Sequence, residues 1–169
     1  MASERQNLRP PDLSALIRSL SDAGIEYIIV GGLAAVAQGA PVTTFDLDIV
    51  HRQTAENIRK LSAFLKWIDA RLRRPDDKII EPASEDLYAK GHLLLKTRLG
   101  PLDVLAFIEK GQGYDDLLPK SIEIDFQGHK IRVLGLETIV ELKRGSRDPR
   151  ELQRLSVYEN TLRLIRERE

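Results

Sequence analysis

The run Tyr27-Ile28-Ile29-Val30-Gly31-Gly32 constrains the fold more than any other stretch of the chain. Residues 26 to 30 are almost wholly apolar, as a strand buried on both faces must be, and they run directly into a glycine pair that forces a turn. Leu33 to Gln38 is alanine-rich and helix-prone, and Gly39 and Pro41 end it. A second strand is expected over residues 45 to 50, Phe45-Asp46-Leu47-Asp48-Ile49-Val50. On a strand, alternate side chains share a face, which groups Asp46 with Asp48 and sets Phe45, Leu47 and Ile49 on the opposite side. Two parallel carboxylates close to a glycine turn suit a hard divalent cation and the phosphates that accompany it.

The remaining chain alternates helices and hairpins. Pro10-Pro11-Asp12 opens a helix with Leu13, Leu16, Ile17 and Leu20 on one side, closed by Gly24. Thr54 caps a helix whose apolar face is Ile58, Leu61, Leu65 and Ile68. Residues 71 to 91 are the least regular, with Arg71, Arg73 and Arg74 ahead of Asp76 and Asp77, and Pro75 and Pro82 interrupting any long element. His92 to Thr97 and Leu102 to Ile108 read as strands joined by a turn at Gly100-Pro101. Ile122 to Phe126 and Lys130 to Leu134 flank Gln127-Gly128-His129 as a second hairpin. Helices over about 136–144 and about 149–167 finish the chain. With no internal repeat or linker, the expectation is one α+β domain over 1–169: a mixed sheet with flanking helices in a core of about 25–135, then a helical C-terminus at about 136–167.

Composition removes several classes of function. Net charge is zero, with 26 basic and 26 acidic residues, so no global field draws the chain to nucleic acid or anionic membrane. The absence of cysteine excludes disulfides, thiolate metal sites and cysteine nucleophiles. Met1 to Pro11 is polar and lacks the apolar core of a signal peptide, and no apolar run nears the roughly 20 residues of a membrane span. A cytoplasmic location without membrane contact is expected.

Thirteen aspartates in 169 residues yield roughly one Asp-x-Asp pair by chance, so Asp46 and Asp48 acquire meaning only from their context. Asp103 supplies part of it. It is the one polar residue in Leu102-Asp103-Val104-Leu105-Ala106-Phe107-Ile108, and a carboxylate on so apolar a strand is costly unless paired, hydrogen-bonded or metal-bound. A third carboxylate facing Asp46 and Asp48 would complete an oxygen-rich site for one or two Mg²⁺ ions, with Mn²⁺ as substitute. That chemistry belongs to phosphoryl or nucleotidyl transfer: the acceptor oxygen and the departing pyrophosphate are stabilised by charge, while Gly31 and Gly32 let the backbone approach the phosphates. Lys143 is a further phosphate candidate within a run from Glu141 to Arg154 that holds five basic and three acidic residues. His51, His92 and His129 have no metal-ligand spacing, although His51 lies near the site in sequence. Tyr27, Trp67 and the phenylalanines are expected in the core rather than as base-stacking platforms.

The run from Gly31 to Asp48, with its Gly39-x-Pro41 turn and Thr43-Thr44 before the first aspartate, resembles the nucleotidyltransferase superfamily of the DNA polymerase β-like fold. It is most similar to the small bacterial members related to abortive-infection and toxin–antitoxin nucleotidyltransferases. Asp103 matches the third carboxylate of that family. Leu134 to Arg144, with Arg147 and Arg150-Glu151-Leu152, resembles its C-terminal part, where a helical lysine contacts the triphosphate. The resemblance covers roughly residues 25 to 155. It implies catalytic and metal-binding roles for Asp46, Asp48 and Asp103, nucleotide binding by Gly31, Gly32 and Lys143, an NTP such as ATP as substrate, and a hydroxyl acceptor on RNA (tRNA among them), protein or a small molecule. It also implies an antitoxin or a second copy of the chain as partner. Val42, Phe45 and Glu151 depart from the family pattern, which often has arginine, a small or charged residue, and aspartate there. Gly-Gly replaces the Gly-Ser of polymerase-like members. The departures at Val42 and Phe45 motivate a second reading, a catalytically inactive nucleotide-binding or protein-interaction module. An Asp-x-Asp glycosyltransferase is the third, for which the chain is short.

Overall fold

The structure, a computed structural model, describes residues 10–76, 78–88 and 90–169; the polar lead up to Arg9, and Asp77 and Ala89 in the irregular stretch, lie outside them. Helix α1 (Leu13–Asp22) opens on Asp12, whose carboxylate accepts from the Ala15 N–H at 2.9 Å, and the chain turns at Gly24 with φ +70. Strand β1 (Tyr27–Val30) is buried at every position and leads into α2 (Gly31–Ala37). Strand β2 (Leu47–His51) is followed by α3 (Ala55–Trp67), whose first turn is capped by Thr54 accepting from the Asn57 N–H at 3.2 Å. A two-residue strand β3 (Arg71–Leu72) precedes the hairpin of β4 (His92–Thr97) and β5 (Gly100–Leu105). A single-turn helix α4 (Tyr114–Leu117) leads to the hairpin of β6 (Ser121–Phe126) and β7 (His129–Leu134). Helices α5 (Leu136–Lys143) and α6 (Pro149–Glu167) close the chain, α6 starting with Pro149 behind the Asp148 cap.

The seven strands form one mixed sheet in the order β3-β4-β5-β2-β1-β7-β6, the α+β architecture expected. β1 pairs antiparallel with β2 and parallel with β7, and β2 pairs parallel with β5. The central strands therefore have neighbours on both edges, and the core lies on them. Leu47, Ile49, Leu102 and Val104 on one face of β2 and β5 are buried together with Leu16, Leu20, Ile58 and Leu61 of α1 and α3. Among the described residues no helix is long and apolar enough to cross a membrane.

Four expectations need correction. The second strand starts at Leu47, not at 45, because the ladders to β1 and β5 reach no further than Asp48 and Leu47 respectively. Asp46 therefore precedes the strand, and Phe45, without a partner strand, is 68% exposed instead of packing with Leu47 and Ile49. The β4–β5 turn falls at Arg98-Leu99; Gly100 and Pro101 already pair with Thr97 and Lys96. Trp67 is not core either: it is 59% exposed, with the Arg98 guanidinium 4.4 Å above its ring. Tyr27 and Phe64 are buried as expected.

Candidate active site

Residues in register on neighbouring strands share a face of the sheet. Val30 on β1 stands opposite Asp48 on β2, Asp48 opposite Asp103 on β5, and Asp103 opposite Leu94 on β4. Four strands thus contribute one row, with two carboxylates side by side at its centre. Beyond the β3–β4 ladder, Arg73 donates its N–H to the Leu94 carbonyl at 2.8 Å and so stands at the outer end of the same row. Its guanidinium is hydrogen-bonded to Asp103 through Nη2, and its Nη1 lies 3.8 Å from Asp46 Oδ1. All three nominated carboxylates are brought together, Asp48 and Asp103 directly and Asp46 through this arginine.

The three sit in different surroundings. The Asp46 side chain is 46% exposed at the mouth, whereas Asp103 is only 16% exposed. Asp48 Oδ1 is buried with no hydrogen-bond partner. Burial, reinforced by the charge of Asp103, the hydrogen bond the two carboxyls can share, and the charge of Asp46, pushes the Asp48 carboxyl up to about 7 against the opposing pull of Arg73. Burial also raises Asp103, although the guanidinium beside it works the other way.

Gly31 explains how so bulky a group fits. It holds φ at +69, and a Cβ there would overlap Asp48 Oδ2. The first function of this glycine is thus to make room for the carboxylate, and its backbone stays bare beside it. A Cβ at Gly32 would stand 3.2 Å from Thr44 Oγ1 and from an Arg154 Nη, so the second glycine admits a threonine and a guanidinium. Arg154 donates to the Thr43 carbonyl at 3.1 Å and pairs with no carboxylate among the described residues.

Lys143 closes the other side. A cavity of about 130 Å³ is lined by Gly31, Asp48, Leu105, Glu109 and Lys143, so the nominated glycine, aspartate and lysine face one space. Lys143 Nζ lies 2.9 Å from Glu151 Oε1 and 3.3 Å from Glu109 Oε1. Burial opposes its charge, but these two glutamates outweigh it and hold its pKa above the usual lysine range. Glu151 in turn is held below the carboxylate range by the Ser146 hydroxyl and by Lys143. The lysine is therefore in place but charge-compensated, while Arg154 presents the less encumbered cation.

Sequence reasoning missed three residues. Gln38 donates to the Ala34 and Leu134 carbonyls at 2.9 and 2.8 Å and accepts from the Leu136 N–H at 2.8 Å, so it ties the end of α2 to the start of the lysine-bearing helix. In the sequence Arg73 stands out only as part of an irregular basic stretch, and Arg154 only as the end of a charged run. His51 has no part in the site: it is buried, its Nε2 bonds the Leu87 carbonyl at 2.9 Å, and burial lowers its pKa so that it stays neutral.

The donor set fits a hard divalent cation in its chemistry. Three carboxylates, one with a buried oxygen lacking any partner and a proton affinity raised by burial and by neighbouring negative charge, are what such an ion would satisfy. Among the described residues, however, no three acidic or imidazole groups already converge as ligands, and the Arg73 guanidinium occupies oxygens of two of them.

No protein-family model matches the chain, and no curated protein matches it in sequence. Solved structures do match. The lincosamide antibiotic adenylyltransferase LnuA, solved with lincomycin bound, superposes with a TM-score of 0.61 at 13% identity over 89% of this chain and 96% of that one. A Thermotoga maritima protein assigned to the nucleotidyltransferases gives 0.53 at 18% identity over 97% and 99%. ANT(2″)-Ia in complex with adenylyl-2″-tobramycin gives 0.55 at 16% identity over 89% of each chain. The row of carboxylates thus lies in a chain that carries the nucleotidyltransferase fold.

Proposed function

We propose that the protein is a divalent-cation-dependent nucleotidyltransferase that moves a nucleoside monophosphate from an NTP to a hydroxyl acceptor and releases pyrophosphate. The observation that carries this reading is the register of β2 against β5, which sets Asp48 beside Asp103 over a glycine that leaves room for the carboxylate. Asp46, Asp48 and Asp103 would hold one or two Mg²⁺ ions, which when bound supply Lewis-acid stabilisation of the acceptor oxygen and of the leaving pyrophosphate. Asp103 orients the acceptor hydroxyl and accepts its proton as the new O–P bond forms and the bond between the α- and β-phosphates breaks. The bare backbone at Gly31 and Gly32 lets the triphosphate approach, with Arg154 beside Gly32 and Lys143 across the cavity as its cationic contacts. Two of the named neighbours were solved with lincomycin or with adenylyl-2″-tobramycin, so small hydroxylated molecules join RNA and protein as acceptors to test. The family resemblance supports a biological role as the toxic member of a pair, with an antitoxin or a second copy as partner; growth arrest on expression in a bacterial host tests it.

The deciding experiment incubates the protein and Mg²⁺ with each α-labelled NTP against total tRNA, cell lysate, hydroxylated antibiotics and the protein itself. Label should pass to one acceptor class, and Asp46→Asn and Asp48→Asn should each reduce transfer at least about a hundredfold while the fold persists. Undiminished transfer in both variants would remove the assignment. The second reading, a nucleotide-binding module without turnover, draws on the guanidinium that occupies two of the three carboxylates. NTP binding with no pyrophosphate released against any acceptor would establish it.

A further inference from the structure

The guanidinium of Arg73 pairs with Oδ1 of Asp46 and Oδ1 of Asp103, two of the three carboxylates that would hold a cation in this cluster. A divalent ion and a guanidinium on the same carboxylate oxygens repel each other, and each loses hydrogen-bonding or coordination geometry to the other, so the two occupy the position alternately. The arginine is built to leave. Its backbone is tied to the Leu94 carbonyl, yet its side chain is 30% exposed and stands at the sheet edge, next to a strand only two residues long. Rotation of the side chain alone, with β3 still paired, would free both carboxylates. Its neighbour Arg74 has a partner of its own, Asp76 at 2.8 and 2.9 Å, and makes no contact with the row.

We propose that Arg73 is a resident counter-ion of the acidic row that competes with the divalent cation for Asp46 and Asp103, so that cation entry requires the guanidinium to swing out. The proposal rests on the reading of the carboxylates as a cation site. It accounts together for a buried unpartnered oxygen on Asp48 and for the fact that, among the described residues, no three acids already converge as ligands. Removing Arg73 then has two effects of opposite sign: the cation-free protein loses stability because its carboxylates repel one another, and cation affinity rises because the competitor is gone. An arginine with a purely structural role would show only the first.

The test is a titration with Mn²⁺ alone, following free Mn²⁺ by EPR, on the full chain and on Arg73→Ala, Arg73→Gln, Arg73→Lys and Arg74→Ala. Arg73→Ala and Arg73→Gln should bind Mn²⁺ about tenfold or more tightly than the parent, the size of one competing hydrogen bond between charged groups. Arg73→Lys should fall between, and Arg74→Ala should match the parent. Both neutral variants should also melt at lower temperature in EDTA, and the glutamine variant keeps the measurement available if the alanine variant does not fold. Equal or weaker Mn²⁺ affinity in a folded Arg73→Gln would overturn the proposal while leaving the cation site standing. Mn²⁺ affinity unchanged by Asp48→Asn and by Asp103→Asn, or absent from every protein including the arginine variants, would instead overturn the site and the proposal with it.

Discussion

Gly31 and Asp48 are one unit: the carboxylate can occupy its place only because the residue that follows its cross-strand partner Val30 has no side chain. The two glycines of positive φ at the ends of α2 separate the contributions. A Cβ at Gly39, φ +100, would meet nothing within 4 Å, so Gly39→Ala should cost only backbone strain, about 1 kcal/mol. Gly31→Ala adds the overlap with Asp48 and should cost about 3 kcal/mol or more in urea unfolding, along with the loss of transfer activity. Equal costs at the two positions would mean that the carboxylate moves aside freely. Asp48 also sets a pH dependence. Its carboxyl is raised from an ordinary 3.8 to about 7, so the folded chain binds this proton more tightly than the unfolded one. The stability it confers is complete below the unfolded value and is lost as the pH rises through about 7. In EDTA, the parent should therefore weaken between about pH 4 and pH 7. Asp48→Asn should flatten that slope and be more stable than the parent at pH 8 by about 1–3 kcal/mol. Parallel pH profiles for the two proteins would place the raised proton affinity elsewhere.

At the scale of elements, the site depends on α2, β7 and α5 keeping their mutual positions, and Gln38 supplies three hydrogen bonds at that junction. Gln38→Ala strips the Leu136 N–H and the Leu134 carbonyl of that partner and should cost about 2–4 kcal/mol, with a rise in KM for NTP as Lys143 loses its placement. Gln38→Glu keeps an acceptor for Leu136 and should cost less; a variant that binds NTP as the parent does would detach the junction from the site. The elements legible in the sequence are those with a period or a punctuating turn. The β6–β7 hairpin announces itself because Gln127 and Gly128 both adopt positive φ, 50 and 82, in a two-residue turn. The capped helices α1 and α3 were legible for the same kind of local reason. Phe45 misled because an apolar residue in an alternating run looks like strand, while only the ladder partners decide where the strand starts. Gly100-Pro101 fits a turn locally, yet Gly100 at φ +132 pairs across to Thr97, so the turn precedes it. Asp103 was recognisable from a single carboxylate in an apolar run. Arg73 was not, since a two-residue strand has no period and its register against β4 is a property of the assembled sheet.

Across the whole molecule, the sheet order assembles the candidate site from its most and least firmly held parts. β1, β2 and β5 each have a neighbour on both edges, and they bring Gly31, Asp48 and Asp103. Among the described residues β3 is an outer strand of two residues whose one strand partner is β4, and next to it stands Arg73. A fixed acidic centre with a loosely held cation at its rim is the arrangement that an exchange between guanidinium and metal ion requires. Native-state hydrogen exchange can read this difference directly. Amides of Ile29, Ile49, Val50 and Val104, in buried and doubly flanked strands, should exchange only through openings close to global unfolding. Those of Leu72 and Arg73 are bonded to the Ile80 and Leu94 carbonyls and should exchange through local opening. Their opening free energies should be several kcal/mol smaller and insensitive to low urea, whereas the central amides should follow the denaturant slope of global unfolding. If Leu72 and Arg73 proved as slow as Ile49 and showed the same urea dependence, the edge would belong to the cooperative centre. Any swing of Arg73 would then be confined to its side chain, with the backbone beside β3 held as firmly as the centre.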